Sequence, residues 1–185
     1  MGKTLLENCL KIIAIWEGNT LYAHGNGAVG IIGFQFGLRE DLCRLMGIPS
    51  DSNDDQFNAK VREDEGKARQ CQMQLGVQHL NGIYEFSCKP RQLSSFTANL
   101  IVLDIGINNG EYNNFLGPKL IVNNEQNWAV EVCETRINAI KHMFDRWPGL
   151  KVRYDWYLHR AQNWDIEVHW PEVRIAPKNK TVKMD

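Results

Sequence analysis

Residues 10–37 read LKIIAIWEGNTLYAHGNGAVGIIGFQFG, and the prediction of the fold starts from them. Up to Trp16, apolar residues recur at the three- and four-residue spacing of an α-helix and cover most of its circumference. Such a helix is typical of a buried position. Glu17 is the only acid in the segment, and Gly18 after it can adopt the left-handed backbone that closes a helix.

Glu17 has two interpretations. An acid at the end of a buried helix, next to Trp16 and facing Phe34 or Phe36, would be partly desolvated. Desolvation favours the protonated carboxyl that a general acid needs. A glutamate at a helix end is also commonly a solvated surface residue. The spacing alone leaves both interpretations open.

A β-hairpin is predicted directly after Glu17. Two short apolar runs, residues 21–23 and 28–36, are separated by HGNG at 24–27, in which Asn-Gly is a strong turn signal. Together with Gly30, this stretch also matches the G-x-G-x-x-G pattern of dinucleotide-binding sites. That pattern needs a strand before it and a helix after it. Neither is predicted at these positions, so the sequence does not favour a Rossmann site.

Three segments resemble one superfamily and occur in its order. The helix, the terminal glutamate and GIIGF at 30–34 resemble the amino-terminal half of the lysozyme-like superfamily, most closely the bacterial chitosanases with their near-identical GIIGF segment. Residues 103–110, LDIGINNG, are similar to the D-x-x-x-N-x-G segment of N-acetylmuramidases in that superfamily. Residues 136–162 resemble the carboxy-terminal pattern of those enzymes, with an arginine-bearing helix, a proline turn and a G-W-x-x-R-like helix.

The resemblance implies an α+β fold, a mainly helical lysozyme-like domain with a small β-hairpin after the catalytic helix. It also implies a glycoside hydrolase that cleaves β-1,4 linkages of peptidoglycan, such as a muramidase, an endolysin or a cell-wall-degrading effector, with Glu17 as general acid. Chitosanases carry a second catalytic aspartate in the hairpin, whereas this chain has no acid between Glu17 and Arg39. A chitosanase, a lytic transglycosylase and a catalytically silent glycan-binding or structural protein are therefore alternatives.

The partner of Glu17 must come from outside the hairpin if it is a carboxylate. Glu40 and Asp41 are the best-placed candidates, in the first turn of a helix predicted at 38–46, although acids there also stabilise a helix start. Asp104 is a more distant candidate, because an Asp beside a glycine commonly caps a backbone turn. Neutral hairpin groups or the N-acetyl group of the substrate could assist instead. We therefore expect the rate to depend more steeply on Glu17 than on any other carboxylate.

Candidate sugar contacts are polar residues of the hairpin and of the end of the stretch at 96–106. The resemblance to muramidases implies a buried helix there, whereas the apolar pattern alone favours a strand almost equally. Gln35 is predicted to face the cleft, because its neighbours Phe34 and Phe36 alternate to the opposite side. The candidate substrate-binding residues are Tyr22, His24, Asn26, Gln35, Asn108 and Asn109. The two asparagines at the helix end are equally compatible with a simple turn.

Length and composition predict one catalytic domain at 1–165, with a C-terminal extension at 166–185 packed on it, because 185 residues are few for two domains. A helix predicted at 56–74 carries the charged run REDEGKAR at 62–69, which is typical of a solvated face. The net charge of −1 does not favour nucleic acid, and no run is long enough to span a bilayer. We expect a monomer whose partner is peptidoglycan or a related β-1,4 amino-sugar polymer.

The sequence contains no motif for a cofactor and no spacing of metal ligands, so we expect neither. Five dispersed cysteines are typical of reduced thiols. The amino terminus also lacks the plan of a signal peptide. These features predict synthesis in the cytoplasm and action on the cell wall after lysis or specialised secretion.

Overall fold

The computed structural model describes residues 2–24, 28–30, 37–109, 116–118 and 120–164, and 75% of them are helical. The seven α-helices of these ranges are α1 (Gly2–Trp16), α2 (Gly37–Met46), α3 (Asp54–Glu63), α4 (Glu65–Ile83), α5 (Phe96–Asn109), α6 (Glu125–Ile140) and α7 (Pro148–Gln162). A π-helical turn at Tyr84–Cys88 and a 3-10 turn at Lys89–Arg91 follow α4, and a 3-10 turn at Lys141–Met143 follows α6.

The predicted α+β class is wrong, because these residues form a helical fold. The single ladder among them is antiparallel, joins Ala23–His24 to Ala28–Val29, and is two residues long on each side. Strands in globular proteins usually have about five or six residues. This contact is therefore not the hairpin that the alternating pattern predicted, and residues 31–36 of the predicted strand lie outside the described ranges.

Side-chain amides of α3 and α4 occupy the other edge of this segment, which explains why the ladder is not extended into a sheet. Asn58 of α3 accepts a hydrogen bond from the Ala23 amide at 2.7 Å and donates one to the Ala23 carbonyl at 3.2 Å. Gln72 of α4 donates to the Leu21 carbonyl at 2.8 Å. Backbone groups that a neighbouring strand would pair are thus satisfied by helices instead.

The helix before Glu17 is confirmed. α1 ends at Trp16, and its buried residues are Leu6, Cys9, Leu10, Ile12, Ile13 and Ala14. The helix predicted at 38–46 corresponds to α2, and the buried helix predicted at 96–106 corresponds to α5, in which Leu100, Ile101, Val102 and Leu103 are fully buried. Apolar periodicity is sufficient for α1 and α2, because each buries its own local pattern, whereas the prediction of α5 rests mainly on the resemblance to muramidases.

The helix predicted at 56–74 is instead two helices. α3 begins with a capping box, in which Asn53 and Gln56 satisfy each other's backbone amides. Asp64 interrupts the helix with φ −151 and ψ 78, and its carboxylate accepts from the Lys67 amide at 2.8 Å. The acid therefore ends α3 and caps the start of α4, which places Glu65 in the first turn of a new helix.

The chain forms two compact units. One contains the described residues of 2–9 and 79–164, and the other contains those of 10–78. The core of the second unit is built mainly from α2, α3 and the first turns of α4, around Leu42, Phe57, Val61, Ala68 and Leu75. In the first unit, α5, α6 and α7 pack against one another. The predicted extension at 166–185 lies outside the described ranges.

Candidate active site

Glu17 occupies a tightly defined helix end. The Gly18 amide donates to the Ile15 carbonyl at 3.1 Å, and the Asn19 amide donates to the Ala14 carbonyl at 2.7 Å. Gly18 has φ +91, so this pair of bonds is a Schellman motif with Glu17 as the C-cap residue directly after α1. The Glu17 side chain is partly buried. Its backbone is therefore fixed at the edge of the core.

Three side chains of α4 hold the segment that follows Glu17. Glu65 accepts a hydrogen bond from the Tyr22 hydroxyl, and Arg69 donates to the side chain of Asn19 at 3.1 Å. Gln72 completes the set through its bond to the Leu21 carbonyl. The spacing of four and three residues places all three on one face of the helix. We call Glu65, Arg69 and Gln72 the α4 clamp.

Gly30 marks the point at which the chain returns to the α4 clamp. Its φ is +80, and a Cβ at this position would lie 2.8 Å from the Cδ and the Oε1 of Gln72. The Gly30 amide also donates to the Tyr22 carbonyl at 3.4 Å. Only glycine combines this backbone with such a close approach.

Tyr22 lies between a cation and an anion. The Arg62 guanidinium is 5.4 Å from the centroid of the Tyr22 ring, and the hydroxyl donates to Glu65. The pKa of Tyr22 is raised above its ordinary value, first by the hydrogen bond to Glu65 and then by desolvation. Tyr22 therefore stays a neutral donor that orients the Glu65 carboxylate. Among the predicted substrate-binding residues, Tyr22 has a polar side-chain partner on another element of the fold.

The two predicted partner carboxylates lie on α2. Glu40 is exposed in the first turn, and Asp41 forms an exposed ion pair with Arg44 of the same helix. Both positions agree with the alternative role of acids at a helix start. Their part in catalysis stays a prediction.

Asp104 is at the centre of a buried cluster. It is 0% exposed, and it accepts from Arg153 of α7 through Nε at 3.1 Å and through Nη2. The Tyr154 hydroxyl lies 3.4 Å from its other oxygen. Burial, and next the charge of Asp104, raise the pKa of Tyr154 to about 12. The carboxylate is thus engaged in a structural ion pair rather than in capping a turn.

The remaining predicted sugar contacts are only partly described. Asn108 is exposed near the end of α5 and donates to the Asp104 carbonyl at 2.9 Å, and Asn109 is the last residue of that helix. His24 belongs to the two-residue ladder. Asn26 and Gln35 lie outside the described ranges.

A groove in the unit containing α6 was not predicted. It has a volume of 630 Å³ and lies between the segment at 116–124 and one face of the helix. Leu120 and Ile121 on its rim are 67% and 58% exposed. Polar and aromatic groups of the same groove are Asn123, Asn124, Asn127, Trp128, Glu131 and Thr135. We call this feature the α6 groove.

The α4 clamp was not predicted either, because the charged run at 62–69 has the composition of a solvated face. The available signal is local: Asp64 is a helix-capping residue, and the polar residues at 65, 69 and 72 share a helical face once a helix begins at Glu65. What those residues contact lies some fifty positions earlier in the chain, and no local pattern encodes it.

Comparison of the chain with protein-family models, with curated proteins and with solved structures finds no match. Within the described ranges, no group of three or more His, Cys, Asp and Glu side chains could hold a metal ion. None of the helices described is long and apolar enough to cross a membrane.

Proposed function

We propose that the chain is a glycoside hydrolase that cleaves β-1,4 linkages of peptidoglycan or a related amino-sugar polymer, with Glu17 as general acid. One observation carries the proposal: Glu17 ends a buried helix in a Schellman motif, and the α4 clamp fixes the segment directly after it. A general acid must be held within hydrogen-bond reach of the leaving oxygen. Rigid support on both sides of the residue suits this role.

In the proposed reaction, the Glu17 carboxyl donates its proton to the glycosidic oxygen while the bond from that oxygen to C1 breaks. Positive charge develops on the sugar ring, and water then adds to C1. The resemblance of residues 10–34 to chitosanases supports this assignment, because a glutamate stands at the same place relative to the GIIGF segment.

Peptidoglycan is the preferred polymer because two further segments resemble N-acetylmuramidases. One of these segments contains Asp104, the other contains Arg153, and the two side chains form the buried ion pair described above. This ion pair is a physical reason for the two segments to occur together in one chain. It supports the interpretation that both segments belong to one muramidase-like pattern. Chitosan is the nearest alternative substrate.

The test compares the wild-type chain with Glu17→Gln on purified peptidoglycan and on chitosan, with the fragments identified by mass. We expect cleavage by the wild type and a rate about 10²–10⁴-fold lower for the variant, at an unchanged melting temperature. Glu85→Gln, which alters an exposed ion pair with Lys89, is the control and should cleave normally. Anhydro-sugar ends would identify a lytic transglycosylase. A folded Glu17→Gln variant with normal turnover would remove Glu17 from the mechanism.

A second candidate function is glycan binding without cleavage, and the α6 groove favours it. Trp128 lines the groove, and the Arg91 guanidinium lies 5.9 Å from the centroid of its ring. An indole face can pack on the apolar face of a sugar, and the asparagine amides can bond to its hydroxyl groups. This function predicts that the wild type retains peptidoglycan in a pull-down without releasing fragments. It also predicts that Trp128→Ala weakens retention more than Trp147→Ala, a substitution of an exposed tryptophan.

A further inference from the structure

We propose that Glu65 is the second catalytic carboxylate and acts as the general base of an inverting hydrolysis. The inference rests on the proposed function, in which Glu17 is the acid. It differs from the expectation from sequence, which named Glu40 and Asp41 as the best-placed partners and gave Glu17 by far the largest effect.

Glu65 is hydrogen-bonded to the segment of chain that follows Glu17. Its Oε1 accepts from the hydroxyl of Tyr22, five residues after the acid. Three other acids of the same unit have partners within their own neighbourhood: Asp41 pairs with Arg44, Glu63 with Lys60, and Asp64 caps α4. Glu65 instead bonds to a neutral hydroxyl across 43 positions of sequence.

The α4 clamp ties Glu65 to the same short segment of chain that begins at Glu17. Arg69 contacts Asn19, which is two residues after Glu17. Glu65 precedes Arg69 by one helical turn, a rise of about 6 Å along the axis. An inverting glycosidase separates its two carboxyl groups by roughly 6.5–9.5 Å, so that water fits between the base and C1 of the sugar. The assignment of Glu65 requires its carboxylate and that of Glu17 to lie within this range.

The surroundings of Glu65 suit a general base. The residue is exposed, and its neighbour Tyr22 donates a hydrogen bond to it. Water can therefore reach this carboxylate, as a general base requires. The hydroxyl of Tyr22 fixes the direction of the carboxylate, and Arg62 beside the ring limits movement of the tyrosine. Tyr22 is thus a positioning residue for the base.

The two acids together account for both proton transfers of the hydrolysis. Glu17 donates its proton to the glycosidic oxygen, and the electrons of the C1–O bond pass to that oxygen. The oxygen of a water molecule forms a bond to C1 from the opposite face, and Glu65 takes the proton that this water loses. The products are an alcohol at the leaving sugar and a hemiacetal of inverted configuration. Glu17 is then ionised and Glu65 is protonated, and exchange with solvent restores both.

The experiment measures peptidoglycan cleavage by wild type, Glu17→Gln, Glu65→Gln and Glu65→Ala, the last with and without sodium azide. Glu63→Gln is the matched control, because Glu63 is exposed and lies two positions away. We expect a loss of about 10²–10⁴-fold for Glu65→Gln and normal turnover for Glu63→Gln. Azide needs no base, so it should restore cleavage by Glu65→Ala and give a glycosyl azide of inverted configuration. Tyr22→Phe should lose about tenfold, because the carboxylate remains but its orientation does not.

The outcomes separate this inference from the function on which it rests. An inactive wild type, or a fully active Glu17→Gln, would overturn the proposed function and the assignment of Glu65 with it. If the wild type is active and Glu17→Gln is not, a Glu65→Gln rate within about tenfold of wild type would overturn the assignment of Glu65 alone. Loss of activity in Glu65→Ala without rescue by azide would overturn it as well. A product of retained configuration would exclude an inverting base.

Discussion

The two compact units each contain a long-range polar cluster, and the two clusters differ in solvent access. The cluster around Asp104 and Arg153 is enclosed, since the carboxylate is 0% exposed and the guanidinium belongs to a buried residue. The α4 clamp has an exposed glutamate and an exposed arginine, with only Gln72 fully buried. The enclosed cluster can act only on stability. The clamp also presents groups that a ligand can reach.

This difference has an energetic consequence. Removing one partner of a buried ion pair leaves an uncompensated charge and costs about 3–5 kcal/mol, whereas an exposed pair contributes about 0–1 kcal/mol. Substitutions at Asp104 should therefore change the free energy of unfolding and leave the rate per folded molecule unaltered. Substitutions in the α4 clamp should change the rate with a smaller effect on unfolding.

The largest effect is expected for Asp104→Asn. The amide has nearly the same shape but no charge, so Arg153 is left buried beside a neutral group. We expect a loss of about 3–5 kcal/mol in the free energy of unfolding, measured by urea denaturation. Asp155→Asn is the control on α7, because Asp155 forms an exposed pair with Lys151, and it should lose less than about 1 kcal/mol. Equal losses for the two variants would show that burial does not distinguish these ion pairs.

A smaller loss of stability, with an effect on activity, is expected for Gln72→Met. Methionine fills a similar volume but cannot donate to the Leu21 carbonyl, which costs about 1–3 kcal/mol. The segment after Glu17 loses one of its three supports, so peptidoglycan cleavage should fall more steeply than stability. Gln74→Met changes an exposed position of the same helix and should alter neither quantity by much. A stable Gln72→Met variant with full activity would show that the α4 clamp is not needed for cleavage.

Periodicity predicted α1 and α2, whose signal is local, whereas the helix at α5 was predicted mainly from the resemblance to muramidases. α1, α2 and α5 each bury an apolar pattern of their own, and the glycine after Glu17 closes α1 as expected. The predicted β-structure does not extend beyond a two-residue ladder, because Gln72 and Asn58 satisfy the backbone on the other edge of Leu21 and Ala23. Those contacts span 51 and 35 positions, and nothing in the alternating pattern distinguishes them from a neighbouring strand.

The candidate site shows the same limit. The position of Glu17 at a helix end could be predicted, but Glu65 could not, because the run at 62–69 has the composition of a solvated surface. The Asp104 and Arg153 pair spans 49 positions, and spacing alone could not choose between a turn cap and an ion pair. The sequence shows only that these residues are charged. Only the packing of helices decides which charges meet.

Glycine substitutions test whether the packing of helices in the unit with the buried ion pair tolerates added volume. A Cβ at Gly106 would lie 2.5 Å from the Cγ2 methyl of Ile83, which is attached directly to a stiff branched carbon. Gly106→Ala should therefore cost about 1–3 kcal/mol through overpacking. A Cβ at Gly82 of α4 would have nothing within 4 Å, so Gly82→Ala should stabilise the helix by about 0.5–1 kcal/mol. Melting temperatures that change in the same direction for both variants would show that the contact with Ile83 does not limit the space at Gly106.

The smallest effect is expected at Glu125. Its solvent access is intermediate between those of the two clusters, because it is half-buried. It binds backbone amides rather than a cation. Its oxygens accept from the Ser94 amide at 2.8 Å, the Ser94 hydroxyl at 2.7 Å and the Ser95 amide at 2.9 Å. Burial acts to raise the pKa of Glu125, but these hydrogen bonds outweigh it and lower the pKa below its ordinary value.

A lowered pKa in the folded state means that the ionised form of Glu125 stabilises the fold. This contribution is complete above the ordinary pKa of 4.5 and is lost as the pH falls through the lower folded value. In the Glu125→Gln variant, the amide side chain keeps one acceptor oxygen for three donors, so we expect a loss of about 1 kcal/mol at neutral pH. The difference in unfolding free energy between wild type and variant should shrink as the pH is lowered below 4.5. A difference that stays constant from about pH 7 to about pH 3 would mean that the charge of Glu125 contributes nothing, and that the hydrogen bonds serve only as a neutral helix cap.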